Sequence, residues 1–340
     1  MPELFLSKPG VAFPGQLVEN TGVIERVKQN FRGTPSEWSV VESGIEKLFA
    51  LCSSKQRYLE DDLNARVAEY AANAARSALE ANGTTLDEID LVIHGGIPRQ
   101  YFEPATAMEV CSRLGISPGH ALDVTAACVG HIEALHTAVA YMAMHPEYRA
   151  ALITTAELTY DYIDYDIQEA RDLKNKAAGL TIGNGAAAFI LRRKPWPQGG
   201  IRLLSVETYT NPVHWALCTA PIGGKFDSSS VELMRLGALI PPVTKRNLAK
   251  LNLTAQDIDY FVFHQPSEVM VRKILDDIGA GQAKGVYTHH LYGNTASAAV
   301  GITYDYLLKT QELREGQKLV LGSAAAGFTA AMATGVWTRG

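Results

Sequence analysis

No segment of the chain comes near the ~18 consecutive apolar residues that a membrane-spanning helix needs, and the opening Met1-Pro2-Glu3 lacks the basic start of a secretory signal. The expectation is a cytoplasmic protein with no membrane partner. Blocks of charge are missing as well: there is no run of five like charges, and 31 basic against 36 acidic residues leave a net charge of −5. Such a balance offers no electrostatic footprint for nucleic acid. Cysteine is scarce. Cys52, Cys111, Cys128 and Cys218 form no CxxC pair, so a disulfide scaffold, a zinc site and a dithiol redox motif are not expected. Each thiol is reduced and serves either packing or chemistry. What is present is 47% apolar and 20% charged residue content over 340 positions. A chain of that length and composition buries a large core, as two domains or one large duplicated one.

Short apolar runs at 91–93, 151–153, 187–191, 261–263 and 319–321 read as buried strands, and helix-patterned segments at 65–82, 132–144 and 297–309 lie between them. This alternation is that of an α/β protein. An internal repeat refines it. The stretch ALEANGTTLDEIDLVIH at 78–94 is echoed by NLAKLNLTAQDIDYFVFH at 247–264: a helix end, a Thr-x-x-Asp/Glu cap signal, then Ile-Asp leading into an apolar strand. A small-residue helix follows each echo, opening near Cys128 in one half and near Asn294 in the other. The Pro- and Gly-rich stretch at 194–200 separates the halves, 1–195 and 196–340.

Cys128 stands where a strand-like segment at 121–124 gives way to a helix with small early residues. A thiol at a helix N-terminus feels the positive end of the macrodipole, which lowers its pKa and favours the nucleophilic thiolate. The other reading is a buried structural cysteine, which is also the reading for Cys52, Cys111 and Cys218. An acylated thiol needs a hydrogen-bonding or proton-handling partner and donors for the carbonyl oxygen. His264, at the tip of the 261–263 strand, and Asn294, in the YGNTASA turn, are candidates, because the duplication brings the two helix starts together.

At this point the chain resembles the thiolase-fold condensing enzymes, in particular the 3-oxoacyl-acyl-carrier-protein synthase III group. SEWSVVESGI, EPATAMEVCSRLGISPGHALDVTAACVG, TIGNGAAAFIL, IDYFVFHQP, YGNTASAAVG and LGSAAAGFTAAMATGVW occur in that group's order along almost the whole chain. The resemblance implies a five-layered αβαβα fold of two pseudo-duplicated halves, a homodimer, and a Cys-His-Asn triad at Cys128, His264 and Asn294. It also implies an oxyanion hole from the backbone N–H groups of Cys128 and Ala326. It implies no cofactor beyond the substrates, which are thioesters of acyl carrier protein or coenzyme A. Trp38 matches an adenine-stacking tryptophan, and Ser267 stands at a substrate-binding position closing the His motif, which here lacks the group's usual Asn.

Some positions depart from the pattern. Where most members place an aromatic residue that crosses into the partner's acyl pocket, this chain has Glu103. That resembles the members that join two acyl thioesters, in which a cross-dimer Glu is a base; the other reading is an interface carboxylate in an ion pair. Glu42 replaces a basic residue, the later basic partner falls at Tyr160-Asp161, and the terminal loop reads Ala324-Ala325-Ala326-Gly327 in place of consecutive glycines. Arg246, Arg272 and Lys273 are candidates for docking an acidic carrier. The leading expectation is acyl transfer to Cys128 followed by carbon–carbon condensation with a malonyl or β-ketoacyl thioester, in fatty-acid-like or polyketide and α-pyrone biosynthesis. Acyl transfer to oxygen or nitrogen, and a non-catalytic subunit of a heteromeric synthase, are the alternatives.

Overall fold

The computed structural model describes residues 2–159 and 162–340. The first half contains β1 (Phe5–Leu6), β2 (Gly10–Ala12), β3 (Gln16–Glu19), α1 (Asn20–Asn30), α2 (Pro35–Cys52), β4 (Gln56–Leu59), α3 (Val67–Asn82), β5 (Ile89–His94), α4 (Thr106–Leu114), β6 (His120–Asp123), α5 (Gly130–Met144), β7 (Ala150–Glu157), α6 (Leu173–Leu180) and β8 (Gly185–Arg192). The second contains β9 (Gly200–Thr210), β10 (Cys218–Thr219), β11 (Asp227–Ser228), α7 (Ser230–Leu236), α8 (Ile240–Lys250), β12 (Tyr260–Phe263), α9 (Glu268–Ile278), α10 (His289–Tyr292), α11 (Ala299–Thr310), β13 (Lys318–Ala325) and β14 (Thr329–Thr338).

The repeat seen in the sequence is built twice with the same bonds. Thr85 and Glu88 form a reciprocal cap before β5, and Thr254 and Asp257 form its counterpart before β12. Asp90 then accepts the Arg149 N–H at 2.6 Å, at the entry to β7, while Asp259 accepts the Lys318 N–H at 2.7 Å, at the entry to β13. Each Ile-Asp thus ties its own strand to the parallel strand beside it, β5 to β7 and β12 to β13.

Side-chain alternation along these strands sorts the molecule into five layers. Leu91 and Ile93 face inward onto α5 and α11, whereas Val92 faces α3 and α4. In the other half Val262 faces inward and Phe261 and Phe263 pack against α8 and α9. Alternation in a strand covered on both sides leaves both faces apolar, which is why these segments read as continuous runs. The two half-sheets are joined. The order is β12-β13-β14-β9-β1-β8-β7-β5-β6, with β2 also on β8, and the two residues of β1 pair with β8 on one side and β9 on the other. The segment 194–200 therefore links two strands that flank β1 in one sheet. No described helix is long and apolar enough to cross a membrane.

Candidate active site

Cys128 occupies a sharp elbow between β6 and α5, at the carboxyl end of the parallel strands where α/β folds place their ligands. Ala127 holds φ +47°, a left-handed conformation that costs a side-chain-bearing residue roughly 1–2 kcal/mol. One 3-10 turn, Ala127–Val129, then leads into α5. The elbow needs two glycines. A Cβ on Gly95 would stand 2.2 Å from the Gly130 carbonyl oxygen, and one on Gly130 would stand 2.5 Å from that of Gly95. The end of β5 thereby touches the first turn of α5. On the opposite side, the Ser323 hydroxyl of β13 donates to the Cys128 carbonyl at 2.8 Å.

His264 follows β12, and its backbone N–H donates to the Gly322 carbonyl, one residue before Ser323, at 2.8 Å. Its Nε2–H donates to Asn294 Oδ1 at 2.8 Å. The Ala296 backbone N–H donates to the same oxygen at 3.0 Å. An atom that accepts a backbone N–H is the amide oxygen, so His264 carries its proton on Nε2, and Asn294 Nδ2 keeps its hydrogens for another acceptor. The Asn294 backbone is clamped in turn, donating to Thr181 O at 2.8 Å and accepting from Gly183 N at 3.0 Å. Gly293, at φ +65°, permits this approach: a Cβ there would lie 2.5 Å from Thr181 O. His264 and Asn294 are thus paired directly, on elements that pack against the turn carrying Cys128. Burial pushes the His264 imidazole below its ordinary value, opposed by its bonds to Asn294 and the Ala324 backbone, so the ring is neutral.

The ionisation of Cys128 is reversed from the sequence-based expectation. Burial pushes the Cys128 thiol well up, and the charges of Glu157 and then Cys218 act in the same direction. A helix terminus contributes at most ~2 kcal/mol, and the hydration a buried thiolate forgoes outweighs it. The resting group is a neutral thiol.

Other anticipated residues take varied positions. Ala326 lies in the turn between β13 and β14, two residues from Ala324. Glu103 is exposed on the surface of the chain, beside exposed Tyr101 and Phe102. Trp38, expected to offer a face to adenine, is only 9% exposed and packs with Phe31 at 5.4 Å between ring centroids; its position on the apolar stripe of α2, with Val41 and Ile45, draws it into the core. Ser267 caps α9, accepting the Met270 N–H at 3.2 Å. Two of the basic candidates are paired within their helix, Arg272 with Glu268 and Lys273 with Asp277, and Arg246 lies over the Tyr209 ring. The Tyr160-Asp161 stretch lies outside the described residues.

The residues missed by sequence reasoning are Glu157 and Ser297. Ala296 repeats the left-handed turn of Ala127, at φ +43°, and a 3-10 turn, Ala296–Ala298, leads into α11. The repeat therefore pairs Cys128 with Ser297, and Asn294 stands three residues earlier, not at the nucleophile's equivalent position. Ser297 is fully buried and hydrogen-bonds both Thr155 and Glu157 Oε1. Glu157 ends β7, is itself fully buried, and also accepts the Ile97 N–H at 3.2 Å. One available signal was a glutamate closing the otherwise uncharged run AALITTAE.

Two family models match: 3-oxoacyl-(acyl-carrier-protein) synthase III over residues 122–212, and its C-terminal domain over residues 248–337. Curated relatives include beta-ketoacyl-(acyl-carrier-protein) synthase III of Chelativorans sp., 28% identical over 94% of this chain and 95% of its own length. The protein of the same name from Rhizobium meliloti is 27% identical with the same coverage. Among solved structures, a Xanthomonas campestris OleA variant with bound lauric acid and lauroyl-CoA superposes with a TM-score of 0.88 at 22% identity, over 98% of this chain and 99% of that one. The 3-oxoacyl-(acyl-carrier-protein) synthase III of Aquifex aeolicus gives 0.83 at 19% identity, over 97% and 99%.

Proposed function

The chain belongs to the 3-oxoacyl-(acyl-carrier-protein) synthase III family of thiolase-fold, acyl-transferring condensing enzymes, as a divergent member, and from that premise we propose that Cys128 is its acyl carrier and that the bond it forms is carbon–carbon. The observation that supports this most is the partly buried His264–Asn294 pair held beside the Cys128 elbow. In the first step the Cys128 sulfur attacks a thioester carbonyl. A carbon–sulfur bond to Cys128 forms, the thioester's bond to its carrier sulfur breaks, and the Cys128 proton leaves with that departing sulfur. The backbone N–H groups of Cys128 and Ala326 receive the oxyanion. In the second step the His264 Nε2–H exchanges Asn294 Oδ1 for the carbonyl oxygen of a second thioester, to which Asn294 Nδ2–H also donates as it becomes an enolate. Its α-carbon attacks the acyl-enzyme carbonyl, the carbon–sulfur bond to Cys128 breaks, and the departing thiolate takes a proton, from the base that removed one or from solvent after loss of carbon dioxide.

The enolate arises either by loss of carbon dioxide from a malonyl thioester or by removal of an α-proton, and the second route needs a base. We assign that base to Glu103, acting across a homodimer; its exposure on the single chain suits a residue that reaches into a partner's site. Acyl-CoA or acyl carrier protein thioesters are the substrates, and the bound lauroyl-CoA of the OleA neighbour makes lauroyl-CoA a suitable probe. The test is complementation. Glu103→Gln and Cys128→Ala proteins are each expected to be inactive toward two lauroyl-CoA molecules, and mixing them should restore condensation, read by mass spectrometry of the product. Full activity of Glu103→Gln alone with every donor would remove Glu103 from the mechanism and leave the decarboxylative route.

A further inference from the structure

The group beneath the nucleophile that this chemistry leaves unused is Glu157. Its carboxyl is fully buried at the end of β7, and its two oxygens have different surroundings. Oε1 accepts from the Ser297 hydroxyl and from the Ile97 N–H. Oε2 has no hydrogen-bond partner among the described residues. Ser297 belongs to the second elbow, and the second elbow packs on the one that carries Cys128. A single side chain therefore holds three parts of the site together: β7, the loop after β5, and the turn that follows Asn294.

A carboxylate in this place has one satisfied oxygen and one that is not, so the neutral acid, with its proton on Oε2, is the form the surroundings favour. Among the described residues, the titratable side chains facing it offer no positive charge. They are Cys128 on the first elbow, Tyr162 on the chain that follows β7 and, beyond Cys128, Cys218 of β10. Burial raises all three, Cys218 to about 11 and Tyr162 well above its ordinary value, so each is uncharged near neutrality. Burial likewise pushes Glu157 up to about 7, against the hydrogen bonds from Ser297 and Ile97.

Resting on the assignment of Cys128 as nucleophile, we propose that Glu157 is a positioning residue that works as a neutral acid: it clamps the second elbow onto β7, and its ionisation suppresses formation of the Cys128 thiolate. Two negative charges in one buried site repel, so whichever group ionises first holds the other protonated. The arrangement sets a ceiling on thiol reactivity as the pH rises past neutral.

The test reads Cys128 without requiring turnover. Iodoacetamide alkylation of the purified protein is followed from pH 6 to 10 by mass spectrometry of the Cys128 peptide. Glu157→Gln keeps an acceptor for Ser297 and Ile97 but cannot ionise. It should shift the alkylation profile down by about one pH unit, which is about tenfold faster reaction at pH 8. Ser297→Ala breaks the clamp and removes a hydrogen bond that holds the Glu157 midpoint down, so it should speed alkylation only below the raised Glu157 midpoint and match wild type by pH 10, where Glu157 is ionised in both. An unchanged or slower reaction in folded Glu157→Gln, or an acceleration in Ser297→Ala that equals that of Glu157→Gln at pH 10, overturns the proposal. If Glu157→Gln does not fold, carbon-13 NMR of the glutamate carboxyls in the wild-type chain decides: a Glu157 midpoint near 7 supports it, and one near the ordinary 4.5 overturns it. Failure of acyl transfer to Cys128 would defeat the proposed function while leaving the alkylation shift intact, so the two can fail separately.

Discussion

The chain builds the same elbow twice and fills it differently. At Ala127–Val129 the central residue is Cys128, partly exposed and held at its carbonyl by Ser323. At Ala296–Ala298 it is Ser297, fully buried and bonded through its hydroxyl to Thr155 and Glu157. The strained alanine, the 3-10 turn and the helix beyond are common to both. The difference lies in what the central side chain meets: Cys128 is partly exposed, whereas Ser297 meets a carboxyl that consumes its hydrogen bond. Backbone geometry creates a place for a nucleophile, and the neighbours decide whether it is one.

The largest effect that would break this comparison is a change of labelling site. Cys128→Ala should abolish the single acyl mass added by lauroyl-CoA, a loss beyond three orders of magnitude, while Ser297→Ala should still be labelled, more slowly and with stability reduced by about 1–3 kcal/mol because a buried carboxyl loses its donor. Intact-protein mass spectrometry and a thermal melt read both. Acylation of Ser297 in the Cys128→Ala protein would show that the second elbow is also reactive.

A smaller effect is expected at the residues that flank the second elbow. His264→Ala and Asn294→Ala should each slow condensation by about two to three orders of magnitude and leave acyl transfer to Cys128 largely intact, as single-turnover kinetics from preformed acyl-enzyme would show. Loss of acylation with condensation spared would exchange the two roles.

The smallest effect concerns the strained alanines. Glycine removes the left-handed penalty but is itself more flexible when unfolded and loses a methyl contact. Ala127→Gly should be neutral or stabilising by about 0.5 kcal/mol, and Ala296→Gly less favourable, because Ala296 is the more buried of the two. Denaturant titration checks the order. Destabilisation by more than about 1 kcal/mol at Ala127 would mean that its methyl is a required contact.

Much of the architecture was legible because it is local. The Thr-x-x-Glu and Thr-x-x-Asp caps, the Ile-Asp pairs and the uninterrupted apolar strands act within a few residues of themselves, so their repetition announces the duplicated layers. Cys128, His264 and Asn294 were legible as chemistry-bearing types at strand tips and helix starts. The joining of the half-sheets by a two-residue strand was not, since β1 has no length from which to read a period.

The sequence by itself determined where the repeated caps and the long apolar strands fall and which chemistry-bearing residue types stand at strand tips and helix starts. Only the tertiary structure decided how those side chains are charged and which ones face each other. Helix position alone predicts an acidic thiol, but hydration is lost in proportion to everything packed around the sulfur, and that is a property of the assembled layers. Trp38 presents the same ring in either setting, and its burial against Phe31 follows from the docking of α2. Glu157 and Ser297, 140 residues apart, meet only because two distant halves close on one another. No window along the chain contains both, so neither the clamp nor the charge it places beneath Cys128 could be read before the fold was complete.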